Sequence, residues 1–271
     1  MPELPEVETT RRGITGQLTD RRIDQVIVRD RRLRWPIPKG LEASLAGQTI
    51  TRLARRAKYL LMLTTGGSAI MHLGMSGRLR IVRPDAVVQK HDHYDIRLDS
   101  GDILRFNDPR RFGCLLWSAD DPANHPLLAT LGPEPLSEAF TGRYLHALSR
   151  GRKIPIKQHL MNSRIVVGVG NIYASEALFM AGIHPKRAAG RIALARMETL
   201  TQSIKAVLED SIRVGGTTLR DFYGGDGQPG YFRPELQVYG RNGKPCAKCQ
   251  TPIRQIILGQ RSTFYCLECQ H

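Results

Sequence analysis

Tyr94-Asp95-Ile96-Arg97-Leu98, then Asp99-Ser100-Gly101-Asp102, then Ile103-Leu104-Arg105-Phe106 is the stretch that decides the fold. Tyr94, Ile96 and Leu98 alternate with polar residues, a four-residue polar turn follows, and an apolar run returns, which is the pattern of an antiparallel hairpin. Working outward, Lys58 to Leu63 and Ala69 to Leu73 flank Thr65-Gly66-Gly67 as a second hairpin, and Ile23 to Val28 reads as a further strand. Hairpins at regular spacing without intervening helices indicate a sandwich or flattened barrel rather than a parallel sheet.

Beyond this half the pattern changes. Leu131-Gly132-Pro133-Glu134-Pro135-Leu136 has the composition of a linker, and helical signals follow it. Ser137 is the expected N-cap of a helix with Phe140, Tyr144, Leu145 and Leu148 on one face. Pro155 opens a second helix through His159 to Met161. A third runs from Leu194 to Val214, with Met197, Leu200, Ile204, Val207, Leu208 and Ile212 at helical spacing, and is expected to stop at Gly215-Gly216. In Val166-Val167-Gly168-Val169-Gly170-Asn171, two glycines free the backbone and Asn171 is positioned to cap the next helix, whose amides would suit a phosphate. A plain glycine turn with an Asn cap fits the same residues. Arg150, Arg152, Lys153 and Lys157 lie nearby. The run from Gly215 to Phe232 contains six glycines and reads as a lid or as a disordered segment.

The 271 residues carry 40 Lys+Arg against 25 Asp+Glu, a net charge of +15. Folding does not require such an excess, so a polyanion is the expected partner, nucleic acid before anionic membrane. No apolar run approaches the ~18 residues of a membrane span, and no secretion signal is present. Of five cysteines, Cys114 stands alone in apolar sequence and is expected in the core. The other four form Cys246-x2-Cys249 and Cys266-x2-Cys269, separated by sixteen residues. Two such knuckles in a short tail supply four thiolates for one closed, structural Zn2+ site. Between them Ile253 to Leu258 and Thr263 to Tyr265 read as a hairpin, with Arg261 at its tip.

The chain opens Met1-Pro2-Glu3-Leu4-Pro5-Glu6-Val7-Glu8. Removal of Met1, expected before so small a residue, leaves Pro2 with a free secondary amine. An α-amino group has a pKa of about 7.7–8.0 against about 10.4 for lysine, so roughly a tenth is neutral and nucleophilic at pH 7. An amine attacking a sugar carbon gives an iminium link, and a neighbouring carboxyl can transfer the proton. Taken alone, the same residues read as an ordinary helix start, with proline and acids in the first turn. Lys58, closing Arg55-Arg56-Ala57-Lys58, reads alone as a solvated flank. Gly74-Met75-Ser76-Gly77 and Asn107-Asp108-Pro109-Arg110-Arg111-Phe112-Gly113 place apolar tips on basic loops, which suits a wedge between base pairs and also suits ordinary turns.

Taken together, the opening, Arg55-Arg56-Ala57-Lys58-Tyr59, Gly74 to Gly77, Asp108 to Gly113, Val167 to Ala174 and the four cysteines closely resemble bacterial formamidopyrimidine-DNA glycosylases, from Pro2 to the last knuckle and in the family's order. The resemblance implies an α+β protein with an N-terminal β-sandwich and flanking helices at 1–133. A helix-two-turn-helix domain with a glycine-rich loop at 134–232 and a C-terminal β-hairpin zinc finger at 237–271 complete it.

It further implies a bifunctional glycosylase and abasic-site lyase of base-excision repair. Such an enzyme removes 8-oxoguanine and formamidopyrimidines from double-stranded DNA and nicks the strand by β,δ-elimination. Pro2 is then the nucleophile, Glu3 the proton donor or acceptor, Lys58 the residue assisting elimination and Arg261 the residue for the second elimination. Met75, Arg110 and Phe112 fill the gap left by the flipped nucleotide. His91, Arg152, Lys157 and Asn171 touch DNA, and Gly215 to Tyr231 recognises the lesion. A monomer in the bacterial cytoplasm, associated with the nucleoid and not with membrane, is expected. The rivals are an endonuclease VIII-like enzyme for oxidised pyrimidines, disfavoured by Leu4-Pro5-Glu6-Val7 after the first Pro-Glu, and a non-catalytic zinc-ribbon DNA-binding protein.

Overall fold

The computed structural model describes residues 2–217 and 235–271. These form two compact units, one of residues up to Ala129 together with the end of a long helix from Val214, the other of Thr130–Arg213 and the zinc segment.

In the first unit, helix α1 (Leu4–Leu18) is followed by β1 (Ile23–Val28), α2 (Leu41–Leu45), β2 (Ile50–Arg56), β3 (Tyr59–Thr64) and β4 (Gly67–His72). Then come β5 (Arg78–Val82), β6 (Asp92–Leu98), β7 (Ile103–Asn107) and β8 (Cys114–Ser118). They make two antiparallel four-stranded sheets, in the orders β1-β6-β7-β5 and β2-β3-β4-β8. A single core spans both, including Ile23, Tyr94, Ile96 and Phe106 from one sheet and Leu53, Met62, Met71 and Leu115 from the other. The arrangement is therefore a sandwich, as the hairpin pattern implies. Cys114 is fully buried, and burial pushes its thiol up to about 12.

Four strands end the two sheets, and each open side is covered by a helix. α1 packs on edge strands β2 and β5, while α2 packs on β1 and β8. Exposed strand edges invite pairing with other chains, and the helices remove that hazard. Neither α2 nor β2, β5 and β8 is marked by the hydrophobic pattern of the sequence. Those three strands are all edges, and β2 and β5 carry five arginines on their short length (Arg52, Arg55, Arg56, Arg78, Arg80), which masks apolar alternation.

In the second unit, α3 (Gly142–Ser149), α4 (Ile156–Leu160), α5 (Asn171–Met180) and α6 (Leu194–Thr217, of which the residues up to Arg213 belong to this unit) precede the hairpin β9 (Arg254–Leu258) and β10 (Arg261–Tyr265). Phe140, Leu145, Ile156, Leu160, Tyr173, Met197, Leu200, Ile204 and Leu208 form its core. Several expectations change here. The cap of α3 is Thr141, whose hydroxyl accepts from the Tyr144 amide, because Ser137 closes a turn onto the Glu134 carbonyl instead. Leu148 falls off the buried face. Asn171 is the first helical residue of α5 rather than its cap, which is Gly170. Helix α6 continues through Gly215-Gly216 to Thr217. A glycine costs a helix only about 1 kcal/mol, and buried Leu208 and Ile212 hold the preceding turns. Beyond Thr217 the expected lesion-recognition loop lies outside the described residues.

Candidate active site

Pro2 immediately precedes α1 and is half-buried. Glu3 is 1% exposed and serves as the N-cap of α1 in a capping box with Glu6, whose carboxylate accepts from the Glu3 amide at 2.8 Å. The helix-start reading and the catalytic reading therefore share one geometry. Capping fixes the Glu3 carboxyl one residue from the Pro2 nitrogen.

One turn further on, Glu8 gathers three guanidinium groups: Arg11 (2.7 Å), Arg12 (2.8 Å) and Arg55 (3.2 Å). Burial alone would raise its carboxyl, but the Arg11 and Arg12 hydrogen bonds and the Arg11 and Arg55 charges hold it at about 2. Arg55 in turn donates to the Ala57 carbonyl at 3.0 Å. The Ala57-Lys58 turn joining β2 to β3 is thereby tied through Arg55 to Glu8 in α1.

The same topology collects Met75, His91, Arg110 and Phe112. His72 at the end of β4 pairs with Cys114 at the start of β8, and Arg78 at the start of β5 pairs with Asn107 at the end of β7. Two loops, one carrying Met75 and the other Arg110 and Phe112, therefore cross between the sheets side by side. A Cβ on Gly74 (φ +63°) would lie 2.4 Å from the Phe112 carbonyl carbon, so the two backbones touch and position 74 tolerates only glycine. Phe112 is 40% exposed, with the Arg110 guanidinium 4.9 Å above its ring. His91 follows a loop whose Ala86 and Val87 carbonyls accept from Arg105, and its own carbonyl accepts from the Asp108 amide at 3.0 Å. His72 Nδ1 accepts from the Gly74 amide at 2.8 Å. Burial first, then the Lys58 and Arg34 charges, hold this imidazole down at about 4.

In the second unit, α4 and α5 are joined by two successive turns, the Asn162 carbonyl accepting from the amides of Ile165 and Val166. Arg152 and Arg261 are exposed. Lys157 is 1% exposed: its ammonium donates to the Thr263 hydroxyl (2.9 Å) and the Ser262 carbonyl (3.3 Å). Asn171 Nδ2 donates to the same Ser262 carbonyl (3.0 Å) and to the Tyr239 hydroxyl (3.3 Å). Both side chains expected on DNA here donate to the Ser262 carbonyl, next to Arg261. The hairpin turn is Gly259-Gln260, both at positive φ as a two-residue type I′ turn requires. Arg261 is thus the first residue of β10 rather than a member of the turn.

The four paired cysteines place their sulfurs within 4.8 Å of one another. Neighbouring separations are 3.4, 3.5 and 3.9 Å, close to the ~3.8 Å edge of a tetrahedron with ~2.3 Å Zn–S bonds. Thiols this crowded do not all ionise without a cation. Thr251 hydrogen bonds bring Cys249 down to about 6, while burial and the other three sulfurs push Cys269 up to about 12. The donor set fits one structural Zn2+. The segment packs through Val238, Ile253 and Phe264 on Phe179 of α5.

Comparison with known proteins now decides the family. The family model for the formamidopyrimidine-DNA glycosylase N-terminal domain matches residues 1–115, that for the H2TH domain of the same enzymes matches 131–223, and a zinc finger found in FPG and IleRS matches 243–271. The chain is 58% identical over 270 residues to the formamidopyrimidine-DNA glycosylase of Thioalkalivibrio sulfidiphilus, covering 100% of both chains. The chain belongs to the formamidopyrimidine-DNA glycosylase family. It is likewise 58% identical over 271 residues to the Xanthomonas oryzae pv. oryzae enzyme, with 100% of each covered. Among solved structures, the Lactococcus lactis enzyme in complex with abasic-site DNA superimposes with TM-score 0.90 at 32% identity, covering 100% of both chains. The Thermus thermophilus enzyme does so with TM-score 0.85 at 38% identity, covering 99% of this chain and 98% of that one.

The geometry of this family member also contains residues that the sequence reading passed over. Glu8 orders the Lys58 turn, and Glu176 in α5 accepts from the amides of Gln237, Val238 and Tyr239 at 2.7–3.0 Å. Neither role could be picked out from spacing, because Arg55 is distant in sequence from Glu8 and the amides of Gln237 to Tyr239 are distant from Glu176. Among the described residues no helix is long and apolar enough to cross a membrane.

Proposed function

We propose that the chain excises oxidised purines, 8-oxoguanine and formamidopyrimidines, from duplex DNA through its N-terminal proline, and then cuts the strand at the resulting abasic site. The segments 1–133, 134–232 and 237–271 supply the catalytic sandwich, the helical DNA-binding part and the zinc part of a monomeric enzyme working on the nucleoid in the cytoplasm. The names of the 58% identical relatives support the purine substrate, and the solved Lactococcus complexes with abasic-site and Fapy-dG DNA support the duplex.

The reaction runs in three steps. The neutral Pro2 nitrogen bonds to C1′ of a flipped nucleotide, the bond to the base breaks, and the base leaves with a proton delivered through Glu3. The sugar ring opens to an iminium, which acidifies the C2′ hydrogen; loss of that proton expels the 3′ phosphate, assisted by Lys58. A second loss, promoted by Arg261, expels the 5′ phosphate. Met75, Arg110 and Phe112 fill the vacated space, and His91, Arg152, Lys157 and Asn171 secure the backbone, the last two through the hairpin they hold.

The observation that carries this reading is the anchoring of the first turns of α1. Capping fixes the buried Glu3 carboxyl one residue from Pro2, and the Glu8–Arg55–Ala57 contacts tie the turn before Lys58 to the same helix, which supports this reading. The test is a chain with Pro2→Gly or with one residue added ahead of Pro2. Both variants should bind lesion duplex normally and lose borohydride trapping. Normal cleavage by a blocked N-terminus would reassign the nucleophile.

A further inference from the structure

We propose that Asp108 is a positioning residue that staples the two crossover loops into one preformed wedge, with Ser76 as the other half of the staple. This rests on the reading of Met75, Arg110 and Phe112 as the residues that fill the flipped nucleotide's place. The sheet ladders hold the loops only at their feet, at His72–Cys114 and Arg78–Asn107. Between those pairs one loop spans Leu73–Gly77 and the other Asp108–Gly113, unequal lengths that cannot continue a ladder.

Asp108 supplies what the ladder cannot. It is 0% exposed. Its Oδ1 accepts from the Ser76 hydroxyl at 2.6 Å and from the Arg110 amide at 3.2 Å, and its Oδ2 accepts from the Gly113 amide at 2.9 Å. The Arg110 amide also approaches Ser76 Oγ at 3.3 Å. One carboxylate thus closes the Arg110–Phe112 loop on itself and bonds it to the Met75 loop. Its backbone is fixed as well, the amide on the His91 carbonyl and the carbonyl 2.7 Å from His93 Nε2. On the far side Arg111, at φ +57°, is anchored by Asp30 at 2.9 Å.

Charged acceptors of several amide and hydroxyl hydrogens are strong organisers in a dry setting. Prying bases apart costs free energy at each step opened. Loops that first had to be ordered would add that entropy at the moment of insertion, whereas a stapled pair meets the duplex already shaped.

The test compares Ser76→Val with Ser76→Thr, side chains of equal shape of which only threonine keeps the hydroxyl. The readouts are single-turnover excision from a lesion duplex, fluorescence of a 2-aminopurine beside the lesion, and borohydride trapping of a single-stranded abasic oligonucleotide, which has no hole to fill. Ser76→Val should slow duplex excision and the fluorescence rise about tenfold, the loss of one hydrogen bond to a charged group. Ser76→Thr should stay within about twofold of the parent, and both should trap the single strand at the parent rate. Asp108→Asn keeps an acceptor for Ser76 but sets an NH2 group against the Gly113 amide, so it should slow duplex excision at least as much as Ser76→Val while leaving single-strand trapping at the parent rate.

Duplex excision by Ser76→Val at the parent rate overturns the staple, as does an equal loss on duplex and single strand. Met75→Ala and Phe112→Ala separate the layers. If they too leave duplex excision unchanged, the wedge reading has failed; if they slow it while Ser76→Val does not, the wedge stands without its staple.

Discussion

Acidification should act on this protein through His72. Its Nδ1 accepts from the Gly74 amide, so the folded state requires the neutral ring with its proton on Nε2. Burial, then the Lys58 and Arg34 charges, lower its pKa from 6.5 to about 4. Because the folded pKa is depressed, the stability this group contributes is fully present above about 6.5 and is lost as the pH falls toward 4. At ~1.36 kcal/mol per pH unit the loss is on the order of 3 kcal/mol. His72→Asn is the comparison, because an asparagine Oδ1 can accept the same amide hydrogen and does not titrate. Guanidinium unfolding of both proteins at steps from pH 7.5 to about 4 gives the difference curve, from which carboxylates common to both cancel. The parent should lose about 3 kcal/mol relative to His72→Asn across that window. Parallel curves, or a His72 ring proton titrating near 6.5 by NMR, would refute the reasoning. Protonation also sets a donor against the Gly74 amide, so loosening should begin at the Met75 loop, read as faster amide exchange at Gly74 below pH 5.

Lys157→Met should leave borohydride trapping intact and shift the products from δ- toward β-elimination on a denaturing gel, because the ammonium holds Ser262 and Thr263 beside Arg261. The salt dependence of its DNA affinity should match the parent; a slope reduced by about one would mean that the lysine instead meets a phosphate. Asn171→Ala should weaken binding to all duplexes about equally, through the Ser262 and Tyr239 contacts, and a loss confined to one lesion would contradict that role. Cys249→Ser should lose the metal, by elemental analysis, together with DNA affinity; unchanged folding and binding in excess chelator would remove the zinc from the account.

What the residues alone determined is local. The β6–β7 and β9–β10 hairpins, helix α1 and the two cysteine knuckles each arise from contacts between near neighbours, where alternation, turn chemistry and ligand spacing are written in consecutive positions. The edge strands β2, β5 and β8 were not legible. In β2 and β5 arginines occupy what would be the apolar alternation. Side-chain roles that depend on partners far along the chain were equally hidden. Nothing near Lys157 in sequence indicates that Ser262 and Thr263 will take its ammonium, and nothing near Glu8 indicates Arg55. The tertiary structure decided these because burying a charge is tolerated only where packing brings it a partner, and which partner arrives depends on how the sheets and helices close, not on the residues beside it.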